Sequence, residues 1–288
     1  MPAPAYELRR PRRQETSVVF ASPHSGRDYR RAFLDRIALD ERSVRSSEDA
    51  YVDLLFADAP LFGAPLLLAL APRAFIDLNR SADELDPALI EGVRLTAQNP
   101  RVTSGLGVVP RVVAGGRAIY RGKITRAEAE ERIAHFWRPY HAALETLLRE
   151  TRARFGEAIL VDCHSMPHEA IENIGPRGRP RPEIVLGDRF GAAASAEIVD
   201  RIEAAFTAAG LRVARNSPFA GAYTTQHYGR PSMGQHVVQV EIDRALYMNE
   251  RHIRPNANFQ AFRLLMRGIV QDIAAIGLRD DAAPLAAE

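Results

Sequence analysis

Cysteine occurs once in this chain, at Cys163, so neither an intrachain disulfide framework nor a cysteine-built zinc site is possible. Any bound metal must be held by oxygen and nitrogen. The opening segment MPAPAYELRRPRRQ has no apolar core, which argues against a secretory signal. Long hydrophobic runs are missing too. The most apolar window, residues 61–71, is broken by Gly63 and Pro65 and falls well short of the ~20 residues that span a bilayer. There is little excess charge of either sign, with 38 basic against 36 acidic residues and a formal net charge of +2, so a dedicated nucleic-acid partner is not expected. Arg9, Arg10, Arg12 and Arg13 read as a solvated terminal arm. No GxGxxG follows a strand and no GxxxxGK[ST] occurs, so nucleotide phosphates lack a cradle. A GxSxG elbow is absent as well, and Ser165 lacks the glycine turn that would expose it as a nucleophile. These absences make a soluble, reduced, cytoplasmic protein the expectation.

What is present is a 46% hydrophobic composition, ample for one large core. The chain reads as an arm over residues 1–15, a single α/β domain over 16–278 and a frayed tail over 279–288. Strands are expected at 17–21, 66–69, 75–78, 159–161, 212–214 and 237–242. Helices are expected at 28–39, from Val52 onward, from Thr125 to a glycine cap at Gly156, at 192–209 and at 258–276. Thr125 and Glu128 form a capping-box pattern, and Pro139 should kink the helix that follows. Residues 83–120 show no period and read as a long loop with a small hairpin, and 166–187 as a second loop. Long loops in compact domains are commonly lids or binding loops. Alternating strands and helices give a three-layer α/β sandwich.

Two strands end in the same way. Ile159-Leu160-Val161 runs into Asp162-Cys163-His164-Ser165, and Val18-Val19-Phe20-Ala21 into Ser22-Pro23-His24-Ser25-Gly26. Ligands of α/β proteins sit beyond the carboxyl ends of strands. A lone histidine there is most often a satisfied core residue, whereas two in matching contexts could converge on a metal. A catalytic zinc needs about three protein ligands and one open position. Asp49, in the pair Glu48-Asp49, is the nearest carboxylate, although opening a helix fits capping as well as ligation. Asp77-Leu78-Asn79-Arg80 closes another expected strand with an amide and a guanidinium, which suit bidentate recognition of a carboxylate or an ordinary ion pair. Arg73 could face the same crevice. In Val237-Val238-Gln239-Val240-Glu241-Ile242, alternation places Glu241 with Gln239 and Val237, opposite Val238, Val240 and Ile242. A carboxylate on a buried strand is costly unless paired or functional. As a general base it would take a proton from the attacking water and hand it to the leaving amine. Asp162 could orient a histidine ligand.

At these motifs the sequence resembles the N-formylglutamate amidohydrolase family. The resemblance is carried by Pro23-His24-Ser25-Gly26, Glu48-Asp49 with Tyr51-Val52-Asp53, Arg73 with Asp77-Leu78-Asn79-Arg80, Arg138-Pro139-Tyr140-His141, Asp162-Cys163-His164-Ser165, His227-Tyr228-Gly229-Arg230-Pro231 and Gln239-Val240-Glu241 with Leu246-Tyr247-Met248. It implies a zinc-carboxypeptidase-like α/β fold, a mixed sheet between helical layers. It also implies one Zn2+ per chain on His24, His164 and Asp49, with Glu48 and Asp28 as rivals for the third place because the HxxE spacing of the wider fold is replaced here by Arg27. Asn79 and Arg80 would hold a substrate carboxylate, and His227 and Tyr223 would bind the substrate with them. Arg73 would polarise the scissile carbonyl and Glu241 would be the base. The implied reaction is hydrolysis of an N-formyl or other N-acyl amino acid, N-formyl-L-glutamate first. The alternatives are a related zinc deacylase or carboxypeptidase, and a non-catalytic protein that binds a small acid. Ala220 and Gln226 stand where the family pattern has cations, which shifts the expectation away from a dicarboxylate. Neither nucleic acid nor membrane is an expected partner, and oligomeric state is not readable.

Overall fold

A computed structural model of the protein describes residues 4–94, 99–172 and 180–278. The expected tail at 279–288 lies outside the described residues. Seven strands form one sheet in the order β1-β3-β2-β4-β7-β5-β6. They are β1 (Tyr6–Arg9), β2 (Val18–Ser22), β3 (Leu66–Ala69), β4 (Ala158–Met166), β5 (Ile184–Gly187), β6 (Val213–Arg215) and β7 (Gln235–Asp243). The centre, β3-β2-β4-β7, is parallel, while β1 runs antiparallel to β3 and β5 antiparallel to β7. The sheet is therefore mixed, as the resemblance implied.

Strand alternation sorts the apolar side chains onto two faces. Val18, Phe20, Ile159, Val161, Val238, Val240 and Ile242 pack on one side, against Ile198, Ile202 and Phe206 of the helix Ala196–Ala208 and Met266, Ile269 and Ile273 of the helix Phe259–Ala275. Val19, Ala21, Leu160 and Val237 pack on the other, against Tyr140, Leu144, Leu147 and Leu148 of the helix Arg138–Phe155. Each fully buried Leu, Ile or Phe of this kind contributes roughly 1.5–3 kcal/mol. Two apolar faces need two covering layers, and the sandwich follows.

Several local expectations are met by the backbone. The Thr125 side chain accepts from Glu128 N at 3.2 Å, and Gly156 closes the long helix at φ 85°. Pro139 is accommodated behind a π-helical turn, Ile133–Trp137, where the wider winding relieves the clash that proline makes with the preceding turn. Three expectations are corrected. Tyr6–Arg9 is no free arm but an edge strand, with Tyr6 opposite Ala69 and Arg9 opposite Leu66, because β3 offers it an open ladder. Residues 75–78 join no ladder, and their burial comes from Ile76 and Leu78 packing into the second core. Conversely, β5 lies inside the stretch 166–187, where flanking Pro and Gly mask a short buried run. Among the described residues no helix is long and apolar enough to cross a membrane.

Candidate active site

The site is built at the carboxyl ends of β2, β4 and β7. The chain leaves β2 through Pro23-His24-Ser25-Gly26 and turns under Leu70 and Ala71. A Cβ on Gly26 would lie 2.1 Å from Ala71 O, so only glycine passes here. This turn presents His24, 2% exposed, to the inside. The backbone N–H of Asp49 donates to His24 O at 3.0 Å, and Tyr51 then takes a left-handed conformation, φ 68°. Those two constraints aim the Asp49 carboxylate at His24. Asp49 does not cap the following helix, Val52–Leu55, which has no side-chain cap. His164 arrives along β4 on the face it shares with Leu160 and Asp162, and its Cα partner on β7 is Glu241.

Both imidazoles turn Nδ1 toward one oxygen. Asp49 Oδ2 lies 3.0 Å from His164 Nδ1 and 3.4 Å from His24 Nδ1. One donor atom from each of the three residues falls within 4.8 Å of the others. The outer nitrogens are held by carboxylates: His24 Nε2 meets Asp77 Oδ1 at 2.7 Å and His164 Nε2 meets Asp162 Oδ2 at 3.0 Å. Asp77 is itself fixed by Arg73 Nε at 3.0 Å. A carboxylate behind each ring at Nε2 turns Nδ1 inward, the arrangement that orients histidine ligands. Burial pushes the Asp49 and Asp77 carboxyls up, but the surrounding imidazoles, and Arg73 beside Asp77, hold both well below the ordinary carboxylate range. His164 is driven the other way: burial lowers it, and Asp162 and Asp49 raise it well above a free imidazole.

These residues fit a divalent metal. Among the described residues, His24 Nδ1 is buried without a hydrogen-bond partner and aims at the centre of the triad. Two nitrogens and one carboxylate oxygen match the donors that zinc takes, and no thiolate is involved. The rivals for the third place are occupied elsewhere. Glu48 is clamped by Arg45 at 2.9 and 3.1 Å and by Tyr29 at 3.2 Å, and Asp28 is solvent-facing against Arg30.

Glu241 is 8% exposed, and its Oε1 accepts from Gln239 Nε2 at 2.9 Å. Burial, with Asp49 nearby, pushes its pKa up to about 7 although His164 and Arg73 pull it down. Gln239 and Val237 share its face, as alternation predicted. Arg244 went unread in the sequence. It is 5% exposed, donates from Nη2 to Asp49 Oδ1 at 2.9 Å and from Nε to Ser165 Oγ at 3.1 Å, and so locks the oxygen of Asp49 that faces away from the histidines. Its signal was weak, a single arginine in an exposed-looking turn after β7.

A cavity of about 670 Å3 opens over this cluster, lined by His24, His164, Glu241, Arg73, Asn79 and Arg80 among others. Asn79 is there mainly to position: its Oδ1 accepts from Thr224 N at 2.8 Å, and its Nδ2 faces His164 Nε2 at 3.2 Å and Gln239 Oε1 at 3.4 Å. Arg80 donates to the carbonyls of Leu106 and Asn79. Tyr223 and His227 do not line the cavity. Their rings stack on each other at 4.9 Å, and Tyr223 packs on Trp137 and His141. That aromatic layer braces the segment carrying Asn79 and Arg80, since Trp137 Nε1 donates to Arg80 O at 2.8 Å and His141 Nε2 meets Leu78 O at 2.9 Å. Tyr223 and His227, expected to bind substrate, thus lie on the short helix Tyr223–Tyr228 within this aromatic layer.

Comparison with known proteins agrees with this geometry. The family model for N-formylglutamate amidohydrolase matches residues 16–248. An N-formylglutamate deformylase of Pseudomonas aeruginosa is 30% identical over 271 residues, 92% of this chain and 96% of that protein. One from Pseudomonas putida is 29% identical over 240 residues, 81% and 82% of the two chains. The crystal structure of N-formylglutamate amidohydrolase from Ralstonia eutropha JMP134 superposes with a TM-score of 0.88 at 34% identity, covering 96% of this chain and 99% of that one. A protein from Agrobacterium tumefaciens, at 18% identity and TM-score 0.63, shares the fold. On the extent of these matches, the chain belongs to the N-formylglutamate amidohydrolase family.

Proposed function

We propose that this protein is a zinc-dependent hydrolase that cleaves the amide of an N-formyl or closely similar N-acyl amino acid, N-formyl-L-glutamate in the first instance, to the free amino acid and formate. The observation that carries the reading is the pair of carboxylate-backed imidazoles converging on Asp49, with Glu241 beside His164 in the strand register. His24, His164 and Asp49 would hold the ion, which when bound supplies Lewis-acid polarisation of the scissile carbonyl and lowers the pKa of water. The remaining chemistry falls to the side chains. Glu241, poised near neutrality by its burial, removes the proton from the attacking water and delivers it to the amine as the C–N bond breaks. Arg73, whose Nε is tied to Asp77, keeps its terminal nitrogens for the carbonyl oxygen as negative charge develops there. Arg80 takes a substrate carboxylate, and Asn79 and the Trp137–His141 layer hold Arg80 and the His164 ring still. Support from relatives is that the Pseudomonas proteins carry the name deformylase.

The test pairs metal analysis of the purified protein with formate release from N-formyl-L-glutamate and a panel of other N-formyl amino acids. About one zinc per chain and formate from at least one of these compounds is the expected result. No metal and no release from any of them would overturn the enzyme reading and favour a small-acid-binding protein.

A further inference from the structure

Four arginines line the cavity, and two of them form ion pairs there. Arg73 is paired with Asp77 at 3.0 Å and Arg244 with Asp49 at 2.9 Å. Among the described residues, Arg80 and Arg101 form no ion pair. Arg80 is 6% exposed, and its hydrogen bonds reach only neutral carbonyls, Leu106 O at 2.9 Å and Asn79 O at 3.1 Å. Burial depresses its pKa and Arg73 and Arg101 add repulsion, against the attraction of the more distant charges on Asp77 and Glu84.

The short helix Pro100–Thr103 carries Arg101 to the same cavity. Leu106 N donates to Arg101 O at 2.8 Å, and Leu106 O is the acceptor for Arg80. The two guanidinium groups line one cavity and repel each other, so an anion bound between them would be favoured. The cavity residues 218–222, Pro218-Phe219-Ala220-Gly221-Ala222, are uncharged and supply none. Gln226 is exposed on the helix Tyr223–Tyr228 and does not line the cavity, so the cation missing there takes nothing from this wall.

We infer that Arg101 is a specificity-determining residue: it receives the second carboxylate of an N-acyl dicarboxylic amino acid whose first carboxylate lies on Arg80. The inference rests on the hydrolase reading for the amide but not for the carboxylate receptor, and the test separates the two. In zinc-loaded protein carrying Glu241→Gln, so that binding is read without turnover, dissociation constants for N-formyl-L-glutamate and N-formyl-L-glutamine are measured by calorimetry. The same pair is measured after adding Arg101→Gln or Arg101→Lys. The parent is expected to prefer the glutamate compound by about 10- to 100-fold, the scale of one charge-assisted contact. Arg101→Gln should bring that preference toward parity, and Arg101→Lys should restore part of it. Because Arg101 is exposed on the short helix Pro100–Thr103, thermal melts of the variants should match the parent. A preference that survives Arg101→Gln, or a parent that binds neither compound or shows no preference, would overturn the inference. If the preference behaves as expected while the unsubstituted protein hydrolyses neither compound, the receptor stands and the hydrolase reading falls.

Discussion

Replacing Glu241 by glutamine should make the metal-free protein more stable while disabling it. The substitution keeps the shape of the side chain, and its oxygen can still accept from Gln239 Nε2 across 2.9 Å. What it removes is a carboxyl whose pKa burial raises from 4.5 to about 7. The sign follows from linkage. Between those two values the folded state holds a proton that the unfolded state has released, so stability falls as pH rises through the window. Above pH 7 the whole penalty is present, and near pH 4.5 it vanishes. At about 1.4 kcal/mol per pH unit the penalty is at most about 3 to 4 kcal/mol. Chelator-treated Glu241→Gln should therefore exceed the unsubstituted protein by up to about 3 to 4 kcal/mol in urea unfolding at pH 8, with most of that difference gone by pH 5. In the zinc-loaded enzyme the same change should leave metal content intact and lower kcat by about 10²- to 10⁴-fold, the usual share of a general base. A variant less stable than the parent at pH 8, a difference that ignores pH, or full turnover would each refute the reasoning.

Three other perturbations probe the scaffold of the site. Asp77→Asn and Asp162→Asn each loosen an imidazole while leaving the ligands in place, so zinc affinity in chelator competition should drop about 10- to 100-fold without unfolding. Gly26→Ala drives a methyl against Ala71 O, and because the obstacle is backbone it should cost at least about 1–3 kcal/mol in chemical denaturation and reduce metal occupancy as His24 shifts. Removing the metal should lower the melting temperature, since free zinc at 100 times its dissociation constant adds about 2.7 kcal/mol. Zinc uptake near neutral pH should release protons into weakly buffered solution, because His164 is held protonated by Asp162 and Asp49 in the metal-free protein and must ligate as the neutral ring. Uptake without proton release would place the ion elsewhere.

Much of the site was legible because it is written in strand periodicity, which is local. An apolar β run that leads into Asp-Cys-His-Ser puts a histidine near the carboxyl end of a strand whatever the remainder of the chain does. Period two alone puts Glu241 beside Gln239 and opposite Val240. The ordered motifs, spread from residue 17 to 250, were enough to indicate the family. Choices between neighbours in irregular backbone were not legible. Glu48 and Asp49 differ by one position, and it took the Asp49 N–H bond to His24 O, the left-handed Tyr51, the local clamp of Arg45 and the distant one of Arg244 to send one carboxylate to the two histidines and the other away. The same holds for Tyr223 and His227, which sit on a short helix whose rotation is set by packing on Trp137 and His141. Edge strand β1 and strand β5 exist only because β3 and β7 offer them open ladders. Sequence alone determined which residues bear the chemistry and which strand face they share, since both follow from chemical type and a two-residue period. Tertiary structure decided which of them meet, since contacts between Asp49 or Arg244 and their partners cross long stretches of chain and depend on how every layer packs.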